Sequence, residues 1–174
     1  KGMLAVGCAL LAIMIYIWFR FEWQFSIAAV IALGHDVIST VGLFALASFE
    51  FNLATVAAIL TIAGYSINDT VVVFDRVREN LRKYKSWDQA KILNKSLNET
   101  LSRTVMTSVT TSLALLAIII FGGAVLRDFA LAMLWGVTIG TYSSIFVAVG
   151  VISRFDLKRS DDEDNSAPVP EYER

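Results

Sequence analysis

Five apolar stretches of about 20 residues dominate this chain, and each is long enough to cross a bilayer as a helix. They cover approximately residues 3–19, 26–48, 54–74, 104–121 and 129–152. Proline interrupts none of them, since Pro168 and Pro170 both lie near the C-terminus. In hydrocarbon every backbone N–H and C=O must be satisfied within the protein, so only helices and closed barrels span. No ten-residue block alternates with period two, which disfavours the barrel. The sequence therefore predicts an all-α polytopic membrane bundle of five spans.

Composition narrows the functional classes. Of 174 residues 56% are hydrophobic and 18% charged, against about 25% charged in soluble domains. A net charge of −1 argues against a nucleic-acid partner, because phosphate contacts need a basic surplus. The single Cys8 excludes an internal disulfide, and the single His35 weakens zinc and histidine-dependent schemes. Phosphate-binding loops, dinucleotide fingerprints, HExxH and nucleophile elbows are all absent from the sequence. The expectation is a protein that is not an enzyme and has no cofactor, and that draws on an ion gradient or a partner's ATP.

Lysine and arginine set the expected orientation. Residues 75–103 carry Arg76, Arg78, Arg82, Lys83, Lys85, Lys91, Lys95 and Arg103, and the segment after span five adds Arg154, Lys158 and Arg159. Arg20 lies on the same side, whereas the loops at 50–52 and 122–128 hold only Arg127. The basic loop and the C-terminus are thus expected in the cytoplasm, and Lys1 on the far side. The start at Lys1-Gly2 suggests a piece of a longer polypeptide preceded by a further span and an exported domain. Two regions follow: a bundle over 1–157 and an acidic, proline-containing tail over 158–174 expected to be disordered. Inside the basic loop, Ser86-Trp87-Asp88-Gln89 has capping-box form, and Ala90, Leu93, Leu97 and Leu101 make an apolar stripe. That pattern predicts a separate interfacial helix leading into span four.

The residues most in need of a reason are ionisable ones inside the spans, each of which costs at least about 2.5–3.5 kcal/mol on insertion scales. Span three carries Tyr65, Ser66, Asn68, Asp69 and Thr70. Asp69 lies about 9 Å of helix rise from Asp75, where the span should meet water. Span two carries His35-Asp36, with Ser39 and Thr40 one turn on as local partners for Asp36. His35 by itself reads as a hydrogen-bonded packing residue. Span four opens with Arg103, and Arg103, Thr107, Thr110 and Thr111 form one stripe expected to face the bundle interior or water. Burial disfavours a carboxylate anion and a nearby arginine favours it, so Asp69, Asp36 and Arg103 are the candidate proton pathway. Tyr65, Ser66, Asn68, Thr70, Thr107 and Thr111 are its supporting polar groups. Sodium suits the same carboxylate and hydroxyls. A buried Asp–Arg pair that only locks packing is the competing reading. Span five has Gly136, Gly140 and Ser144 at small-xxx-small spacing, which fits close packing within the chain.

These residues resemble the SecF subunits of bacterial SecDF export complexes. The resemblance rests on Gly34-His35-Asp36, on Glu50-Phe51-Asn52-Leu53 and on the run from Gly64-Tyr65-Ser66-Ile67-Asn68-Asp69-Thr70 to Glu79-Asn80. It continues through Ser96–Thr104, Phe121-Gly122-Gly123 and Gly140–Ile145. It implies a proton-driven helper of the Sec translocon in the bacterial inner membrane, within the larger group that includes multidrug efflux pumps. The implied partners are a SecD-like subunit, a SecYEG-type channel, YidC-type and YajC-type subunits, the translocating polypeptide and membrane lipid. The family's proton-passage aspartate and arginine match Asp69 and Arg103. A small-molecule transporter of the same acid logic, and a purely structural translocon subunit, are the alternatives.

Overall fold

The computed structural model describes residues 2–48 and 53–157, and every regular element among them is helical. Helix α1 spans Gly2–Arg20, α2 Trp23–Leu46, α3 Leu53–Lys83, α4 Gln89–Phe121 and α5 Gly123–Tyr142. A π-helical stretch over Ser143–Ala148 continues α5 into the short α6, Val149–Ile152. Four helical stretches are long and apolar enough to cross a membrane: α2, α3, α4 and Leu126–Ile152. Helix α1 is apolar over Gly7–Arg20 but shorter. The chain is a multi-pass membrane protein. The connection at 49–52, with the expected motif there, and the acidic tail over 158–174 lie outside the described residues.

Helix α3 is the centre of the bundle. Its buried positions, among them Thr55, Ile59, Ile62, Ser66, Asp69, Val73, Val77, Asn80 and Leu81, recur every three or four residues. That spacing gives one interior line along the whole helix, and α1, α2, α4 and α5 all pack on it. Lipid tails are as apolar as leucine, so close contact rather than water exclusion must hold such helices together. Gly136 supplies it on α5: a Cβ there would overlap the Ile62 side chain. At Gly140 a Cβ would sit 3.1 Å from Ser66 Cβ, so α5 meets α3 almost backbone to side chain.

Along the bundle axis the interior has three layers. At the basic end Phe21, Phe25, Phe74, Val77, Ile92 and Ile152 form one apolar cluster, with the Phe25 and Phe74 rings edge-to-face at 5.2 Å. At the other end Phe44, Ala58, Ile62, Leu115, Met133 and Val137 form a second. Between them lie the buried polar residues Asp36, Thr40, Ser66, Asp69, Thr70, Thr104, Ser143 and Ser144.

Three expectations are corrected. Residues 75–103 are not a loop with a separate interfacial helix. Helix α3 runs on to Lys83, and α4 is continuous from Gln89 through Phe121, leaving 84–88 as the connection. No Gly or Pro occurs between Asp75 and Phe121, and extending a helix is easier than nucleating a second one. The cap of α4 is Asp88, whose carboxylate accepts from the Ala90 N–H at 3.3 Å, not Ser86. Gln89 instead holds the chain's C-terminal segment, donating to the Phe155 carbonyl and accepting from the Leu157 N–H. Finally, Ile92, Leu93, Ser96, Thr100 and Thr104 form the interior line of α4, while Ala90 is exposed and Leu97 half-buried.

Candidate functional site

The polar layer is built where α2, α3 and the π-helical stretch converge. Asp36, on the interior face of α2, is fully buried. Its Oδ1 is hydrogen-bonded to His35 Nδ1 at 3.0 Å, and its Oδ2 accepts from the Ser66 hydroxyl of α3. Thr40 donates to the Asp36 backbone carbonyl, and Ser39 accepts from the Trp135 indole. The expected local partners therefore leave the Asp36 carboxylate to His35 and to α3. From the facing element Ser143 donates to the Ala32 carbonyl, which fixes the π-helical stretch against α2 one turn from Asp36.

Asp69 follows Ser66 by three residues on the same face of α3 and is 3% exposed. Its Oδ2 is buried without a hydrogen-bond partner among the described residues, and so is Thr104 Oγ1 of α4. The two belong together by register. Helices α3 and α4 run antiparallel, with Tyr65 Oη donating to Ser108 Oγ and Asn80 Nδ2 to Ser96 Oγ. Those two contacts place Thr104 level with Asp69. Leaving a buried acceptor unpaired costs about 1–3 kcal/mol, a cost that the fold removes almost everywhere else along this seam.

The remaining candidate residues divide. Tyr65 and Ser66 fan apart, one to Ser108 of α4, which is hydrogen-bonded to Thr141 of α5, and the other to Asp36. Thr70 is buried in the layer, whereas Asn68 is exposed and outside it. The Arg103 stripe does not face the interior of these helices: Arg103 and Thr110 are exposed, and Thr107 and Thr111 half-buried. Helix α4 packs through Thr104 and Leu115 instead, which turns Arg103, one position along, toward the rim. No ion pair joins Arg103 to Asp69 among the described residues, so the two are neighbours in register without being locked together.

One polar assembly escaped the sequence reading. Beside the apolar cluster at the basic end, Asn80 of α3 is 2% exposed and donates to Ser96 Oγ and to Glu99 Oε2, each at 2.9 Å. Glu99 also receives Arg76 Nε at 2.6 Å and Lys95 Nζ at 3.1 Å, and Arg76 reaches on to Glu79. The Asn80 hydrogen bond, with those of Arg76 and Lys95, pulls the Glu99 carboxyl down to about 2. Arg76 and Lys95 are pushed up in turn, each chiefly by its hydrogen bond to Glu99. The available signal was the three-and-four spacing that carries Ser66, Asp69, Val73 and Val77 on to Asn80.

Comparison with known proteins gives a consistent picture. Residues 1–158 match the family model described as "Protein export membrane protein SecD/SecF, C-terminal". The chain is 59% identical over 152 residues to a protein translocase subunit SecF of Rhodobacter capsulatus, covering 87% of this chain and 46% of that one. It is 56% identical over 156 residues to the Magnetococcus marinus SecF, covering 90% and 50%. The chain thus spans about half the length of the curated relatives it matches. Among solved structures it is similar to a crystal structure of SecDF, described as a translocon-associated membrane protein, from Thermus thermophilus. That match has a TM-score of 0.84 and 48% identity, over 88% of this chain and 21% of that one. A super-membrane-facing form of SecDF matches with a TM-score of 0.79 at 50% identity, over 83% and 20%.

Proposed function

This chain belongs to the SecD/SecF family of protein export membrane proteins, and from that premise we propose that it supplies half of an ion-conducting machine. In this reading it is the membrane bundle of a SecF-type subunit of the Sec translocase. It works with a SecD-like partner beside a SecYEG-type channel, and with YidC-type and YajC-type subunits, in the bacterial inner membrane. Its basic end and C-terminus face the cytoplasm. It uses the proton-motive force to promote passage of polypeptides, has no nucleotide or hydrolytic site, and needs no cofactor.

The observation that carries this reading is the unpaired oxygen of Asp69 in a polar layer sealed between two apolar clusters. A carboxylate there that only held helices together would be saturated with donors. One that alternates between neutral and anionic needs a partner in one state and none in the other. Arg103 retains its charge in both states. Its place on α4, free of an ion pair with Asp69 among the described residues, suits a cation that approaches and withdraws. Ser66, one turn from Asp69 on the same face of α3, is hydrogen-bonded to Asp36 and so leads from the site toward α2. One elementary charge crossing 100 mV releases about 2.3 kcal/mol, enough to bias a rocking motion of the bundle.

The test uses the full-length protein with its partner subunit in membrane vesicles. Completion of export is followed with ATP present, with and without a proton gradient, for wild type and Asp69→Asn. The expected result is acceleration by the gradient in the wild type only. Equal acceleration in an assembled variant would make the Asp69 site structural. A sodium gradient that replaces the proton gradient would reassign the coupling ion.

A further inference from the structure

The end of α1 and the last three turns of α3 enclose an open groove of about 690 Å³, lined by Arg20, Asp75, Arg78, Glu79, Arg82 and Lys83. Four cations face two carboxylates, and both carboxylates are engaged: Asp75 by Arg20 at 3.1 Å and Glu79 by Arg76. Arg78 is paired more loosely, with Glu22 at 3.9 Å. Arg82 is exposed and has no ion-pair partner among the described residues. Arg78 and Arg82 are four residues apart on one helix face, a spacing at which like charges repel by a few tenths of a kcal/mol. Even so, two of the cations are gathered rather than dispersed. The guanidinium carbons of Arg20 and Arg78 lie 5.0 and 5.6 Å from the centre of the same ring, that of Phe21. The ring is 6% exposed, so it holds both side chains at one fixed point.

The groove is also at a defined depth. It sits where the apolar run of α1 ends at Arg20 and that of α3 at Asp75. Trp18, Phe19 and Trp23, all exposed, surround it within a few residues, as aromatic side chains do at a membrane–water boundary. We infer that this groove is a binding site for the phosphate headgroup of an anionic phospholipid. The diester phosphate lies against Arg78 and Arg82, with Arg20 and Lys83 at its margins. The acyl chains lie along the exposed apolar surface of α1. Basic pockets between spanning helices take lipid headgroups in this manner. The phosphate neutralises the repulsion between Arg78 and Arg82, and planar guanidiniums match its oxygens in pairs.

The experiment measures phospholipid retained by the purified full-length protein and its partner subunit after extraction from nanodiscs. The discs contain phosphatidylglycerol mixed with phosphatidylcholine, and retained lipid is counted by native mass spectrometry. Wild type is compared with the Arg78→Gln/Arg82→Gln double variant. The control is Lys85→Gln/Lys91→Gln, which removes the same charge at the same end outside the groove. Retained phosphatidylglycerol should fall about tenfold in the groove variant and stay near wild type in the control. An equal fall in both would reduce the effect to diffuse surface charge and overturn the site. Unchanged retention in a correctly assembled groove variant would overturn it too, as would equal retention of phosphatidylcholine. Displacement of the lipid by inorganic phosphate alone would make the groove a free-phosphate site instead.

Discussion

Asp69 and Glu99 are acidic side chains on the same α3–α4 seam, and the fold treats them in opposite ways. Glu99, at the basic end, is met by Asn80, Arg76 and Lys95. Asp69, in the middle of the bundle, keeps a buried oxygen that no described residue meets. Where water is close and an unpaired charge would cost least, the chain has spent three partners. Where an unpaired polar atom costs most, it has left two, Asp69 Oδ2 and Thr104 Oγ1. The difference separates a charge that fixes two helices from an acid that the fold leaves without a partner.

The largest expected effect of breaking this contrast is on transport. Asp69→Asn should remove the whole gradient-dependent part of export in the full complex while lowering the melting temperature by less than Asn80→Ala does. A variant that lost transport only because it melted would show both changes, and thermal unfolding in detergent beside the export assay separates the cases. Next comes packing. Gly136→Val places methyl groups into Ile62, and overpacking of this kind costs about 1–3 kcal/mol. It should also displace α5 from α3 and so disturb the Ser66 contact to Asp36. Ile62→Ala in the same protein should return part of the melting temperature. Asn80→Ala, which leaves Ser96 and Glu99 without their shared donor, should cost about 1–2 kcal/mol and leave gradient dependence intact.

The smallest effect concerns pH. The Glu99 carboxyl is held at about 2, below its ordinary 4.5. A group lowered in the folded state stabilises above its unfolded value and loses that contribution as pH falls through its folded value. The stability difference between wild type and Glu99→Gln should therefore be full above about pH 4.5 and fade toward pH 2, a window set by the same shift. Melting curves of the two proteins across that range check it, and a constant difference would mean that the three partners do not act through charge.

Much of this was legible in the residues because hydrocarbon is an exacting solvent. The apolar runs placed the four helical stretches long enough to cross a membrane and the shorter α1, and the rarity of acids inside them singled out Asp36 and Asp69. What stayed hidden was decided by contacts between helices. Nothing in Ala90, Leu93, Leu97 and Leu101 reveals that the neighbouring line through Ile92, Ser96 and Thr100 packs inward. That line meets Asn80 across the seam through Ser96. The spacing of Arg103 and the threonines gave a common stripe but not its direction, because α4 is oriented by Thr104 and Leu115. The π-helical stretch at Ser143 likewise has no local signature. It is seated by the Ser143 hydrogen bond to Ala32, more than a hundred residues away in sequence. His35 reads from the sequence as a hydrogen-bonded packing residue, and the structure supplies its partner, the carboxylate of Asp36.

The most direct measurement of the central claim is proton flux. The full-length protein and its partner subunit would be reconstituted in liposomes with an internal pH dye, and a gradient imposed on wild type, Asp69→Asn and Glu99→Gln. The unpaired carboxylate predicts that Asp69→Asn is silent while Glu99→Gln conducts as the wild type does. Wild-type flux through Asp69→Asn, or equal loss in both variants, would contradict it.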